Sequence, residues 1–196
     1  ILIYLFNGII ELIMKWFYLL SIWLLFVTLP TWAQQLAKIE TNLGDITIAF
    51  YQDDAPATVA HFKSLITENW YNNKTFYRVV KGHVIQVGSG DDDDVTSINR
   101  TVKAEFNKNP HILGSVGLAR SEDPNSGSTE FYICDATRSH LDGKYTVFAQ
   151  VVNGLDVVKK ISNVQVKEVW LGDNKQVAFH QPSSPVVIHK ITLIDM

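Results

Sequence analysis

Cysteine is almost missing from this 196-residue chain: Cys134 stands alone, so no disulfide can form within it. A lone thiol in an exported protein is most simply kept inside a strand, here the run Glu130-Phe131-Tyr132-Ile133-Cys134, and no Cys-His motif offers it a base. A basic patch is missing too. Lys and Arg number 17 against 20 Asp and Glu, for a net charge of −3, so the footprint expected of a nucleic-acid partner is absent. The six histidines, His61, His83, His111, His140, His180 and His189, show no metal-ligand spacing. With no glycine-rich phosphate loop either, no cofactor is implied. No βα repeat calls for a parallel sheet. The acidic run Asp91–Asp94 lacks the alternating ligands and closing glutamate of an EF-hand, and reads as a solvated, self-repelling loop.

What is present begins with a leader. Met14-Lys15 is a short basic start, Trp16–Pro30 is almost wholly apolar, and Thr31-Trp32-Ala33 ends in a small-x-small site. That is the pattern of a signal peptide cleaved after Ala33, with residues 1–13 an upstream extension from a misplaced start. The rival reading joins residues 1–30 into a membrane anchor, interrupted by Asn7, Glu11 and Lys15. Residues 34–196 then form one domain, large enough for one substantial core. It is expected in the periplasm or secreted, or anchored and facing the periplasm.

Ala37–Thr41 and Asp45–Tyr51 alternate about Asn42-Leu43-Gly44 and predict a hairpin, with Ile46, Ile48 and Phe50 facing the core. Asp53-Asp54-Ala55-Pro56 looks like a helix start, with the carboxylates at the positive end. Val59, Phe62, Leu65 and Ile66 follow at helical spacing. Thr75–Val80 and His83–Val87 read as two strands joined by a Lys81-Gly82 turn. Alternation puts Phe76, Arg78 and Val80 on one face and Tyr77 and Val79 on the other. An arginine on such a face either lies flat with its head in water or points into a cleft. The spacing leaves both open. Further strands are expected over His111–Leu118, Glu130–Cys134, Tyr145–Val152 and Pro185–Ile194, a second helix over Gly154–Ile161, and a partly stranded excursion over Ser162–Pro182. Seven or eight strands and two helices fit a mainly β, largely antiparallel barrel capped by two helices.

Several linked stretches resemble the cyclophilin-type peptidyl-prolyl isomerases. They are Phe76-Tyr77-Arg78-Val79-Val80-x-Gly82-x-x-Ile85-Gln86, Asp123-Pro124-Asn125-Ser126 with Glu130-Phe131-Tyr132-Ile133, and Leu141-Asp142-Gly143-Lys144-Tyr145-x-Val147-Phe148. The front end (Thr41–Ile46, Ala55–Phe62) and the tail Pro185–Ile188 fit as well, so the resemblance spans 37–194. It implies a closed eight-stranded antiparallel barrel with two capping helices, acting as a monomer on proline-containing unfolded or partly folded polypeptides. It assigns the catalytic role to Arg78. The substrate-binding residues it implies are Phe76, His83, Val84, Gln86, Ala119, Arg120, Glu130, Tyr132, His140, Leu141 and Tyr145, with Gln86 and the backbone at Ala119-Arg120 holding the peptide. Phe131 is expected in the core.

The chain departs from the family pattern in ways that bear on rate and peptide preference. His83-Val84 stands where Phe-Met is usual, giving a smaller and more polar socket, and Glu130 replaces a glutamine beside Arg78. His140 stands where tryptophan or phenylalanine is common, and Tyr145 where eukaryotic members carry histidine. Three functions remain open from sequence: an isomerase assisting exported proteins, a weakly active or inactive module that binds proline-containing peptides, and a ligand-carrying barrel. The last leaves the polar loop 119–129 unexplained.

Overall fold

The structure, a computed structural model, describes residues 14–16, 35–88, 100–171 and 177–195. The chain separates into Ile1–Ala33 and Gln34–Met196. The leader beyond Met14–Trp16 and the Asp91–Asp94 run lie outside the described residues. Among the described residues no helix is long and apolar enough to cross a membrane.

In the second unit the alternating front end gives the hairpin β1 (Gln35–Thr41) and β2 (Gly44–Phe50). Helix α1 (Pro56–Thr67) follows, then β3 (Arg78–Val80), β4 (Val84–Val87), β5 (Ser115–Leu118), β6 (Phe131–Cys134) and β7 (Val147–Asn153). After helix α2 (Leu155–Ser162) come β8 (Val166–Leu171), β9 (Val177–Pro182) and β10 (Ile188–Asp195). Eight strands form one antiparallel sheet in the order β10-β1-β2-β7-β5-β6-β4-β3, while β8 and β9 pair as a separate hairpin from the excursion over 162–182.

The expected barrel is not closed by a continuous ladder, since β10 and β3 end the strand order. The irregular segment before β3 spans the seam instead. Thr75 bridges Val187, Phe76 N–H donates to the Val186 carbonyl at 2.9 Å, and Ile188 N–H to that of Lys74 at 2.8 Å. Thr75 and Phe76, expected to extend β3, are therefore committed to the chain leading into β10. The alternation breaks there: Phe76 enters the main core with Val79 rather than sharing the face of Arg78.

The helix start also differs from expectation. No carboxylate lies in the first turn of α1. Glu105 supplies one from far along the chain, accepting from Ala57 N–H at 3.0 Å, Thr58 N–H at 2.8 Å and the Thr58 hydroxyl at 2.7 Å. Asp54 instead accepts from Asn109 Nδ2 at 3.0 Å. From α1, Phe62 meets Phe50, Tyr71, Phe131 and Phe148 with ring centroids 5.0–6.1 Å apart, which centres the core under the helix.

The turn between β3 and β4 is bolted to α2. Gly82 takes a φ of +68°, a conformation that favours glycine, and its N–H donates to Asp135 Oδ2 at 2.7 Å. The Ser162 hydroxyl donates to the same oxygen, and Lys159 Nζ lies 2.5 Å from Asp135 Oδ1. Burial alone pushes the Asp135 carboxyl upward, but the hydrogen bonds from Lys159, Ser162 and Gly82 together hold it below its ordinary value. A depressed carboxyl stabilises the fold above the unfolded-state pKa, about 3.9, and that contribution is lost as pH falls through the folded value. Asp135→Asn is therefore expected to cost about 1–3 kcal/mol at pH 7. In urea titrations the gap from wild type should narrow below about pH 4, and a constant gap down to about pH 2.5 would contradict this account.

Candidate active site

Strand register builds the site. Arg78 pairs with Gln86, Gln86 with Tyr132, and Tyr132 with Gly117, making one row across β3, β4, β6 and β5. Residues directly opposite one another point to the same side of a sheet. The adjacent row, Val79, Ile85, Ile133 and Val116, is buried in the main core. The Arg78 row therefore faces away from that core. There Val84, Tyr132 and Cys134 form a second, smaller apolar cluster, with Ala119, Leu141 and Tyr145 packed against it.

A cleft of about 180 Å³ opens on this face, lined by Arg78, His83, Val84, Gln86, Ala119, Arg120, Tyr132, Leu141 and Tyr145. Its volume is below the roughly 300–1,000 Å³ typical of small-molecule sites. It suits one ring-sized side chain better than a cofactor. Val84 and Tyr132 are buried at its base, and Leu141 and Tyr145 form half-buried walls. Tyr145 meets Tyr132 edge-on, with centroids 6.0 Å apart at 86°.

On the polar side, Arg78 Nη1 donates to Gln86 Oε1 at 2.9 Å. The other end of the Gln86 amide donates to Glu130 Oε2 at 2.8 Å and to the Tyr77 hydroxyl at 2.7 Å. Tyr77 also donates to Glu130 Oε2 at 2.7 Å. Burial first, and then the Glu130 charge, push the Tyr77 phenol well above its ordinary value, so it stays a donor. Glu130 thus does not take the guanidinium directly. It fixes the Gln86 amide with its oxygen toward Arg78.

Arg120 is latched into the loops. It donates to the Lys144 carbonyl through Nε at 3.0 Å and Nη2 at 2.8 Å, and through Nη1 to the Ser121 and Glu122 carbonyls, with its guanidinium 4.6 Å over the Tyr145 ring. Ala119 N–H is already committed to the Glu130 carbonyl at 2.9 Å, so it is not a free donor for a peptide. His83 lines the cleft and stacks on His140 at 5.8 Å. Burial first, then Arg138, Arg78 and His140, lower the His83 pKa and favour the neutral ring. Burial pushes the Cys134 thiol up to about 12, so it stays protonated.

Of the residues singled out from sequence, nine line the cleft together. Phe76 lies in the core, Glu130 stands behind Gln86, and His140 reaches the cleft through His83. Phe131 is in the core as expected. Tyr77, His111 and Asp142 were not singled out for the site, although each bonds a residue that was or stands beside one. Apart from Gln86, which bonds Tyr77, their partners lie 21 to 53 residues away, so no local spacing marks them.

The cyclophilin type peptidyl-prolyl cis-trans isomerase/CLD family model matches residues 36–193. The chain belongs to this family. It is 35% identical over 129 residues to the peptidyl-prolyl cis-trans isomerase of Synechococcus elongatus, covering 65% of this chain and 88% of that protein. It is 30% identical over 172 residues to that of Acinetobacter baylyi, covering 82% and 86%. The crystal structure of a Cryptosporidium parvum cyclophilin type isomerase superposes with a TM-score of 0.71 at 23% identity, over 81% of this chain and 98% of that one. At that identity the superposition speaks for the fold.

In this cyclophilin-family cleft a neutral amide separates Arg78 from Glu130. Gln86→Glu would place a carboxylate beside Glu130 and give Arg78 a direct ion pair. The expected result is a loss of isomerase activity of at least about tenfold at pH 7. Activity should partly recover as the pH falls into the carboxylate range, read in a protease-free NMR exchange assay; a variant as active as wild type would rule this arrangement out.

Proposed function

We propose that this chain accelerates cis/trans interconversion of X–Pro bonds in polypeptides folding after export, with Arg78 as the donor to the prolyl nitrogen. The observation that carries the reading is a guanidinium, held by Gln86, on the rim of an apolar socket of prolyl size. The planar amide resists rotation by about 18–20 kcal/mol. At the twisted geometry conjugation is lost and the prolyl nitrogen regains a lone pair. A donor set at that position binds the twisted amide better than the planar one, which is what lowers the barrier. Arginine suits the role because it stays charged and its donors lie in a fixed plane.

The socket supplies the second requirement, an anchor. Val84, Tyr132, Leu141 and Tyr145 would hold the ring while the preceding carbonyl turns, and His83 and Arg120 flank the peptide path. The Cryptosporidium neighbour was crystallised in the presence of the dipeptide Ala-Pro, which supports proline-containing peptides as the ligand class. Export rests on the leader pattern of Met14–Ala33.

Arg78→Ala should lower kcat/KM in a protease-coupled assay by about 10²–10³-fold while leaving the far-ultraviolet circular dichroism unchanged. Wild type no faster than this variant would reduce the chain to a peptide-binding module. For export, protein made in a bacterium from Met14 and recovered outside the cytoplasm should begin at Gln34 by N-terminal sequencing; an intact 14–33 segment would overturn cleavage after Ala33.

A further inference from the structure

The base of the socket carries a hydroxyl where a prolyl ring calls for hydrocarbon, and a buried histidine behind it accounts for its proton. The Tyr132 hydroxyl lies 2.8 Å from Nε2 of His111, which is fully buried. On the other side of the imidazole, Nδ1 lies 2.8 Å from Asp142 Oδ1, which also accepts the His111 main-chain N–H at 2.8 Å. These two bonds from His111, main-chain first, hold the Asp142 carboxyl below its ordinary value, so it is an ionised acceptor. A carboxylate can only accept, which places the ring proton on Nδ1. With that one proton spent on Asp142, Nε2 offers a lone pair to the Tyr132 hydroxyl, which donates to it. The hydroxyl proton thereby points into the imidazole and away from the cleft.

The same histidine fastens the socket wall. Its carbonyl accepts from Arg138 N–H at 2.7 Å, and with Asp142 it pins both ends of the turn that carries Leu141. The Tyr132 ring is set with equal closeness. It stacks on His111 at 6.0 Å and 17°, and a Cβ on Gly117 would lie 2.3 Å from its Cζ and its hydroxyl oxygen.

We propose that His111 is a positioning residue for the prolyl socket, taking the Tyr132 proton and, through Asp142, fixing the Leu141 wall against the Tyr132 base. The socket then presents hydrocarbon to a prolyl ring although its base is a tyrosine. This rests on the cleft being the prolyl-peptide site. Without the acceptor, the hydroxyl must find water or turn, and either brings polarity to the ring's resting place. Binding suffers, while the Arg78–Gln86 pair that faces the amide keeps its own hydrogen bond.

The test is a mutant cycle in the full chain, reading kcat and KM together with the Kd of a proline-containing tetrapeptide by NMR titration. His111→Leu should raise KM and Kd by about fivefold or more with kcat within about twofold, and Tyr132→Phe, whose own values are measured rather than assumed, serves as the reference of the cycle. The double variant should return to within about twofold of Tyr132→Phe, because no hydroxyl is left needing an acceptor. A His111→Leu protein that binds as wild type overturns the proposal. So does a double variant as weak as His111→Leu, since that is a structural effect blind to the hydroxyl. If His111→Leu does not fold, nitrogen-15 NMR of the native chain decides: the Nδ1–H tautomer, with an Nε2 shift that moves on Tyr132→Phe, is expected, and an Nε2–H tautomer overturns it. A wild-type chain that binds but does not catalyse sinks the isomerase reading alone, because the cycle is still read in Kd. Absence of peptide binding by wild type overturns both.

Discussion

Cross-strand register is the constraint on which this site depends. Arg78, Gln86, Tyr132 and Gly117 come from four strands and share a face only because each pairs with the next. A slip of one residue in β4 would bring Ile85 to the cleft and send Gln86 into the core. The burial of Val79, Ile85, Ile133 and Val116 in the neighbouring row opposes that slip at each strand. Gly82, bolted to Asp135 and through it to α2, fixes the turn from which β4 starts. The apolar core thus sets the position of a polar row that it never touches.

The polar side chains around the cleft turn out to be mostly partnered rather than loose. A carboxylate beside a catalytic guanidinium could neutralise it, since a direct charge pair in a partly dry cleft is strong. Here Glu130 spends its Oε2 on the Tyr77 hydroxyl and the Gln86 amide, and the amide interposes between the charges. Tyr132 has His111, and Arg120 has the loop carbonyls. His83 differs. Its Nδ1 is buried without a hydrogen-bond partner among the described residues, and the neighbouring arginines add to the burial that keeps the ring neutral.

Much of this was legible in the sequence where a local pattern carried it. The alternation of β2, the helical spacing of Val59, Phe62, Leu65 and Ile66, and the linked motifs around Arg78 led to the right elements and to nine residues of the cleft. Reading failed where a distant partner outweighed the local pattern. Phe76 alternates with Arg78 in sequence, but the backbone of Thr75 and Phe76 pairs with the chain before β10, so the parity does not hold. Asp53 and Asp54 look like helix-capping residues, yet Glu105 takes the helix end. His111 reads as the start of a strand, and the strand begins at Ser115 because His111 is spent on Asp142 and Tyr132. In each case long-range hydrogen bonds decided a matter that spacing alone leaves open.

The arrangement also bears on why a rigid cleft serves a reaction in which no covalent bond is made. The twisted amide differs from the planar one mainly in where its nitrogen lone pair points, so selectivity between the two rests on the direction of a donor. A freely swinging arginine would find both geometries and favour neither by much. Gln86 holds Arg78 through one nitrogen, Glu130 and Tyr77 hold Gln86, and the guanidinium plane is set before any peptide arrives. Orientation fixed during folding need not be ordered again at each turnover. In the proposed reading the socket would do the complementary work, since a prolyl ring seated against Tyr132 and Leu141 could not follow the rotation of the residue before it. Rotation about the C–N bond would then be the motion left to the bound peptide, with Arg78 as the proposed donor to the prolyl nitrogen.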